Sequence, residues 1–351
     1  MRIIEETQLD FDDVLIQPKR SDLNSRSEVD IIREFKKEGR SDFSCVPVCC
    51  ANMACIAVPR TAKIFVRKGL LCAMEKHVNR DDLFRLYEDL SNESEGLTSR
   101  IALSIGIKES LDTIKEINEN FDVNIINIDV ANGYMNSLQN RIKEVRNQFP
   151  NAWIIAGTVV TGDIVTDLLN CGADIIRCGI GGGAMCLSRR VAGVGRPSVS
   201  MLQECSDAAH QIHGYVMNDG GCKCPGDICK ALGCSDFTMV GSMFASAKEC
   251  DGEIVYNQLG QGYRKFCGMS SEYAQNKYFG GFKGNYRSSE GRQKLIKITD
   301  NLEDIIDNIL GGIRSCMTYI GCHKIKHMQK HMVFYKVNRQ LNTTYEHNED
   351  F

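Results

Sequence analysis

The segment DIIRCGIGGGAMCLSRRVAGVG, Asp174 to Gly195, carries three kinds of chain in immediate succession. Asp174–Cys178 is an apolar run of strand character. Gly179, Gly181, Gly182 and Gly183 form a glycine-rich loop, and Cys186, Ser188, Arg189 and Arg190 follow it. Glycines lack a Cβ, so such a backbone can adopt positive φ and approach a ligand closely. Its N–H and C=O groups can bind anions or coordinate cations. A thiol delivered by that loop beside two arginines has the setting in which a cysteine becomes a nucleophile. The same residues also suit a flexible surface loop with an incidental cysteine, so the rest of the chain has to decide.

On both sides of this segment, apolar runs recur. Eight read as strands: Val46–Met53, Leu70–Glu75, Ile101–Gly106, Asn124–Val130, Trp153–Gly157, Asp174–Cys178, Tyr215–Asn218 and Asp236–Val240. Most are continuously apolar, as expected of parallel strands buried on both faces. Amphipathic helical stretches separate them at Ser110–Asn120, Met135–Gln148, Ile164–Cys171 and Ser198–His213. This alternation predicts an α/β fold, a single (β/α)8 TIM barrel spanning 1–351, a length that one such domain accommodates. The competing doubly wound sheet lacks its glycine fingerprint after the first strand. Leu9–Ser21 is expected to lead into the barrel from outside. A late helix is expected at Asn301–Gly311, and residues 343–351 read as a disordered polar tail.

Residues that carry chemistry fall just after the strands. Asn52 and Met53 close the first; Lys76 and His77 follow the second; Asp129, Asn132, Gly133 and Tyr134 close the fourth. Gly157 and Thr158 end the fifth, Cys186 follows the sixth, Asp219, Gly220 and Gly221 end the seventh, and Gly241 and Ser242 end the eighth. In a TIM barrel those ends form the active-site mouth. The glycines after the seventh and eighth strands suit a phosphate, and the Asp219 carboxylate suits paired ribose hydroxyls. DGG could equally be a plain tight turn. Tyr263–Arg292 reads as a long irregular, mobile loop after the eighth strand, with Glu290 as its most interesting carboxylate.

A formal net charge of −3 excludes a strongly basic nucleic-acid binder. The sequence shows no signal peptide and no bilayer-length apolar run, so a cytoplasmic address is expected. Seventeen cysteines, an odd number scattered through apolar runs, read as reduced thiols. Cys222, Cys224, Cys229 and Cys234 have the wrong spacing for zinc hooks. His323, His327 and His331 would share a helix face, but among lysines they read as a solvated basic surface.

LDFDDVL (Leu9–Leu15), ANM (Ala51–Met53), DVANGY (Asp129–Tyr134), GADII (Gly172–Ile176), the glycine loop with Cys186, GVG (Gly193–Gly195), DGGC.CPGD (Asp219–Asp227), FCGMSS (Phe266–Ser271) and YRSSEG (Tyr286–Gly291) occur in this order. Together they resemble the IMP dehydrogenase / GMP reductase family over nearly the whole chain, and its reductase branch more closely. The regulatory CBS insertion of the dehydrogenases is missing. The resemblance implies NADPH-dependent reductive deamination of GMP to IMP and ammonia. Cys186 would form a thioimidate at purine C2, Ser188 and Glu290 would relay protons, and Lys76 would assist beside the nicotinamide.

By the same resemblance, Asp219, Gly220, Gly221, Gly241 and Ser242 contact ribose and phosphate. Gly268, Met269, Ser270, Arg287, Ser288, Ser289 and Gly291 contact guanine. Asp129, Val130, Ala131, Gly179, Ile180, Met269, Tyr286 and Arg287 contact the dinucleotide. Ser25, Arg26, Ser315, Cys316, Met317 and Thr318 would, by that resemblance, reach a neighbouring subunit's cofactor in a homotetramer. The resemblance also implies that Gly181, Gly183, Cys186 and Arg189 hold a monovalent cation, K+. The chain departs from the family's usual residues at Ala54, Thr158, Gly182, Ala184 and Ser188. An IMP dehydrogenase without its regulatory domain, or a silent purine-nucleotide-binding barrel, are the alternative readings.

Overall fold

The continuously apolar runs form eight strands: β1 Phe43–Cys50, β2 Leu70–Ala73, β3 Ile101–Ile105, β4 Ile125–Asp129, β5 Trp153–Val159, β6 Ile175–Cys178, β7 Tyr215–Asp219 and β8 Phe237–Val240. Each pairs parallel with its neighbour in chain order. β8 returns to β1 through Thr238–Val48, Met239–Cys49 and Val240–Cys50, which closes the barrel. The computed structural model describes residues 1, 3–278, 280–281 and 288–338.

Strand parity splits the apolar residues into two layers. Ile125, Ile155 and Ile175 point into the barrel with Cys49, Leu71, Met217 and Met239. Ile126, Ile154 and Ile176 point outward into the helical layer. That layer comprises α1 Pro59–Arg67, α2 Arg80–Glu93, α3 Asp112–Phe121, α4 Asn136–Gln148, α5 Gly162–Asn170, α7 Ser198–His210, α8 Pro225–Cys234 and α10 Leu302–Tyr319. Two short helices, α6 Ser188–Val191 and α9 Glu272–Tyr278, lie on the loops after β6 and β8.

One end of the barrel is shut. The strand Arg33–Phe35 pairs antiparallel with β1 and lays Phe35 across the opening. Its ring stacks on Phe237 at 4.3 Å and on Phe43 at 5.0 Å, with Trp153 edge-on at 6.5 Å. The open end is therefore the one where the strands' C-terminal residues emerge.

Two expectations change. The late helix does not stop at Gly311 but runs to Tyr319, because Ile306, Ile309, Ile313 and Met317 carry its buried stripe past the glycines. Gly312 also has a packing reason, since a Cβ there would lie 2.5 Å from Pro225 Cβ on α8. The region Tyr263–Arg292 is not irregular throughout. Gly262–Cys267 is the middle strand of an antiparallel sheet with Ile254–Tyr256 and Gln293–Lys297, and α9 follows it. Its partner strands lie outside that window and are largely exposed, so their pattern is mixed. The histidines share no continuous helix, but His323 and His327 are exposed beside exposed Lys324, Lys326 and Lys330, the solvated basic surface expected of them. His323 precedes a short 3-10 turn and bonds Asp22 at 2.9 Å, whereas His331 bonds the Ile320 carbonyl.

The opening segment packs outside the barrel, as expected. Phe11 is buried, its carbonyl accepts from Lys230 Nζ at 2.9 Å, and Leu9 N–H donates to Ser200 Oγ. The cysteines are free thiols, most of them buried. Among the described residues no helix is long and apolar enough to cross a membrane.

Candidate active site

A cavity of about 290 Å3 opens at the C-terminal ends of the strands. Two glycine loops build one wall. Gly179 has φ +153°, and a Cβ there would sit 2.2 Å from the Asp219 carbonyl oxygen; at Gly220, with φ +85°, it would meet Gly183 backbone at 2.9 Å. The loops after β6 and β7 thus interlock backbone to backbone, which only glycine permits. Arg189 clasps the first loop from outside, donating to Asp10 Oδ2 at 3.2 Å and to the Arg196 carbonyl at 2.6 Å.

Within that loop the Cys186 N–H donates to the Gly183 carbonyl at 2.9 Å, a tight turn that presents the thiol to the cavity. Cys186 Sγ donates to Ser188 Oγ at 3.3 Å, and Ser188 Oγ donates to Glu290 Oε2 at 2.5 Å. Glu290 comes from a distant segment, pinned in place by backbone bonds. Leu187 N–H donates to the Glu290 carbonyl at 2.7 Å, Arg292 N–H to the Met185 carbonyl at 2.8 Å, and Cys186 bridges Gly291 antiparallel. Thiol, hydroxyl and carboxyl in series are an arrangement that can serve as a nucleophile with a proton path.

Deeper in the cavity stands a group that the motif reading missed. Arg177 of β6 donates through Nη1 to Asp129 Oδ1 at 2.7 Å and through Nη2 to Asp219 Oδ2 at 2.6 Å. Burial opposes its charge, but Asp219 and Asp129 outweigh this and hold it protonated. Burial also acts to raise Asp129, yet Arg177 and then Lys76 keep that carboxyl below its ordinary range. Lys76 Nζ lies 3.6 Å from Asp129 Oδ2. The signal for Arg177 was available: a charged residue inside an otherwise apolar strand, DIIRC, needs partners.

The structure brings most of the expected residues to this one cavity. Cys186, Ser188, Glu290, Asp219, Gly220, Gly221, Gly241, Ser242, Gly268, Met269, Ser270, Ser288 and Gly291 line it, as do Asp129, Val130, Ala131, Gly179, Ile180, Gly181 and Gly183. Lys76, Ser289 and Arg189 do not line it, and Lys76 meets the wall through Asp129. Tyr286 and Arg287 lie outside the described residues. Ser25, Arg26 and Thr318 line a separate groove with Leu23, Asn24 and Tyr319. Ser315 and Cys316 are on α10 next to it, and Met317 is turned into the core. Among the described residues, no three His, Cys, Asp or Glu side chains converge as metal ligands. Cys222 instead bonds Asn218 and Thr238.

The family profile described as "IMP dehydrogenase / GMP reductase domain" matches residues 8–345. The chain belongs to the IMP dehydrogenase / GMP reductase family. It is 40% identical to GMP reductase 2 of Homo sapiens over 344 residues, covering 97% of each chain. It is 41% identical to GMP reductase of Vibrio vulnificus (strain YJ016) over 350 residues, covering 98% of this chain and 99% of that protein. GMP reductase of Ascaris suum is 39% identical over 348 residues, covering 98% and 97%. Residues of six stretches, ANM, DVANGY, the glycine loop, DGGC, GMSS and YRSSEG, supply the cavity wall.

Proposed function

We propose that this chain is a GMP reductase, converting GMP to IMP and ammonia with NADPH. The observation that carries this reading is the Cys186–Ser188–Glu290 series at the cavity, 3.3 and 2.5 Å apart. The names of the relatives support it. The glycines after β7 and β8 cradle the phosphate, Asp219 takes the ribose hydroxyls, and Gly268–Ser270 with Ser288–Gly291 flank the base.

Cys186 Sγ attacks purine C2. The thiol proton passes through Ser188 to Glu290 as the C–S bond forms, and the 2-amino group leaves as ammonia carrying that proton back through the same path. The base stays bonded to sulfur as a thioimidate until reduction at C2 breaks the C–S bond and frees IMP and the thiolate. NADPH, when bound, supplies the hydride for that step. Asp129, Val130 and Ala131 form the wall on which it fits, with Lys76 behind Asp129. The carbonyls of Gly181, Gly183, Cys186 and Arg189 are hard oxygen donors of the kind a K+ ion takes. The second groove, with Arg26 at its rim, would serve a neighbouring subunit's cofactor in a cytoplasmic homotetramer.

The test is absorbance at 340 nm with GMP and NADPH, with ammonia assayed in parallel. NADPH loss matched by ammonia and IMP is expected, and Cys186→Ala should abolish it with GMP binding retained. NADH formed from IMP and NAD+ instead would move the assignment to a dehydrogenase. Silence in both directions would overturn the enzymatic reading.

A further inference from the structure

We propose that Arg177 is a positioning residue that couples the purine-ribose subsite to the cofactor subsite through one shared guanidinium. The inference rests on the GMP reductase reading for the identity of the two ligands. Its geometry is independent of that reading.

The two carboxylates come from different strands, Asp129 from β4 and Asp219 from β7, and Arg177 reaches both from β6. Its two terminal nitrogens are divided between them, at 2.7 and 2.6 Å. Its side chain is 7% exposed, whereas those of Asp129 and Asp219 are 21% and 20% exposed. Ligands therefore meet the carboxylates, and the carboxylates meet the arginine. Each Asp spends one oxygen on Arg177 and keeps the other for the cavity or, at Asp129, for Lys76. The chain also makes room for this span. Gly157 of β5 lies between, and a Cβ there would stand 2.6 Å from both Arg177 Cβ and its carbonyl oxygen.

A planar fork can serve two carboxylates at once; a lysine delivers one point charge. Removing the fork leaves two acids in one cavity with no shared counter-charge. Drawing either Asp toward a ligand must then cease to be felt at the other. Asp129 is faced by Arg177 from β6, by Lys76 and Glu75 from the end of β2, and by Asn52 from the end of β1. Without Arg177 its carboxyl rises toward the ordinary range.

The experiment is calorimetric titration of GMP into the full chain with and without saturating NADP+, a pair that cannot turn over. For the unmodified protein the two GMP dissociation constants should differ at least about threefold, a coupling of roughly 0.65 kcal/mol. In Arg177→Met the ratio should collapse to one, and the acid limb of the GMP rate profile should move to higher pH. Arg177→Lys should restore binding of one ligand without restoring the coupling, and it remains usable if the Met variant does not fold. A merely structural arginine would lower melting temperature but leave ratio and acid limb in place. That outcome, or a ratio of one in the unmodified protein, overturns the inference. Absence of GMP binding altogether would instead remove the functional reading, and the coupling with it.

Discussion

Glu75 shows how one residue's surroundings set its chemistry. It lies just past the end of β2, next to Lys76, and is 6% exposed. Burial pushes its carboxyl from 4.5 up to about 7, against the opposing His77 N–H bond and Lys76 charge. Its Oε2 accepts that N–H at 2.8 Å, while Oε1 has no hydrogen-bond partner among the described residues. The folded pKa lies above the unfolded one, so the folded state holds the proton more tightly. The stability this contributes is full below pH 4.5 and is lost as pH rises through about 7. Glu75→Gln should therefore stabilise the protein at pH 8, by up to about 3 kcal/mol, and be near neutral at pH 4.5. Denaturant unfolding at both pH values checks this. An equal effect at the two would show that the carboxyl ionises normally.

At the scale of elements, the site depends on a clamp between two segments that sequence separation gives no reason to join. Met185–Leu187 and Glu290–Arg292 meet as a short antiparallel pair. Gly291 sits where a Cβ would lie 2.4 Å from Ser271 N and 2.9 Å from the Ser270 carbonyl carbon, both backbone atoms that cannot swing aside. Gly291→Ala should push the clamp open and carry Glu290 away from Ser188. Without a positioned proton relay the expected fall in kcat is on the order of a hundredfold. Gly311 in α10 is the control, since a Cβ there meets nothing within 4 Å. Gly311→Ala should leave kcat alone and raise stability by about 1 kcal/mol. Equal losses of kcat in both variants would sink the clamp argument.

Across the whole molecule, the barrel was legible because parallel strands buried on both faces leave unbroken apolar runs, and chemistry-bearing residues gather at their C-terminal ends. Asp219 and Cys186 were readable for that reason. Arg177 was legible only as a charge in an apolar run that needs partners; that the partners are Asp129 and Asp219, and that Glu75 is buried, come from the three-dimensional surroundings. The antiparallel sheet was missed because pairing Gly262–Cys267 with Gln293–Lys297 is a long-range event. The two ends of the barrel divide stability from chemistry, and Asp174 tests that division. It enters β6 at the closed end, fully buried, with Lys37 Nζ at 3.0 Å, Arg40 Nε at 3.0 Å and Arg146 Nη2 at 2.5 Å, and it also accepts the Ile154 N–H at 3.0 Å. Asp174→Asn keeps the size and an acceptor oxygen but leaves three cations without their anion. Breaking a buried pair this way costs about 3–5 kcal/mol. Denaturant midpoints should fall accordingly, while kcat and KM per folded molecule stay unchanged, because the proposed catalytic residues stand at the other end of the strands. A loss of kcat at unaltered stability would mean that the closed end reaches the site after all.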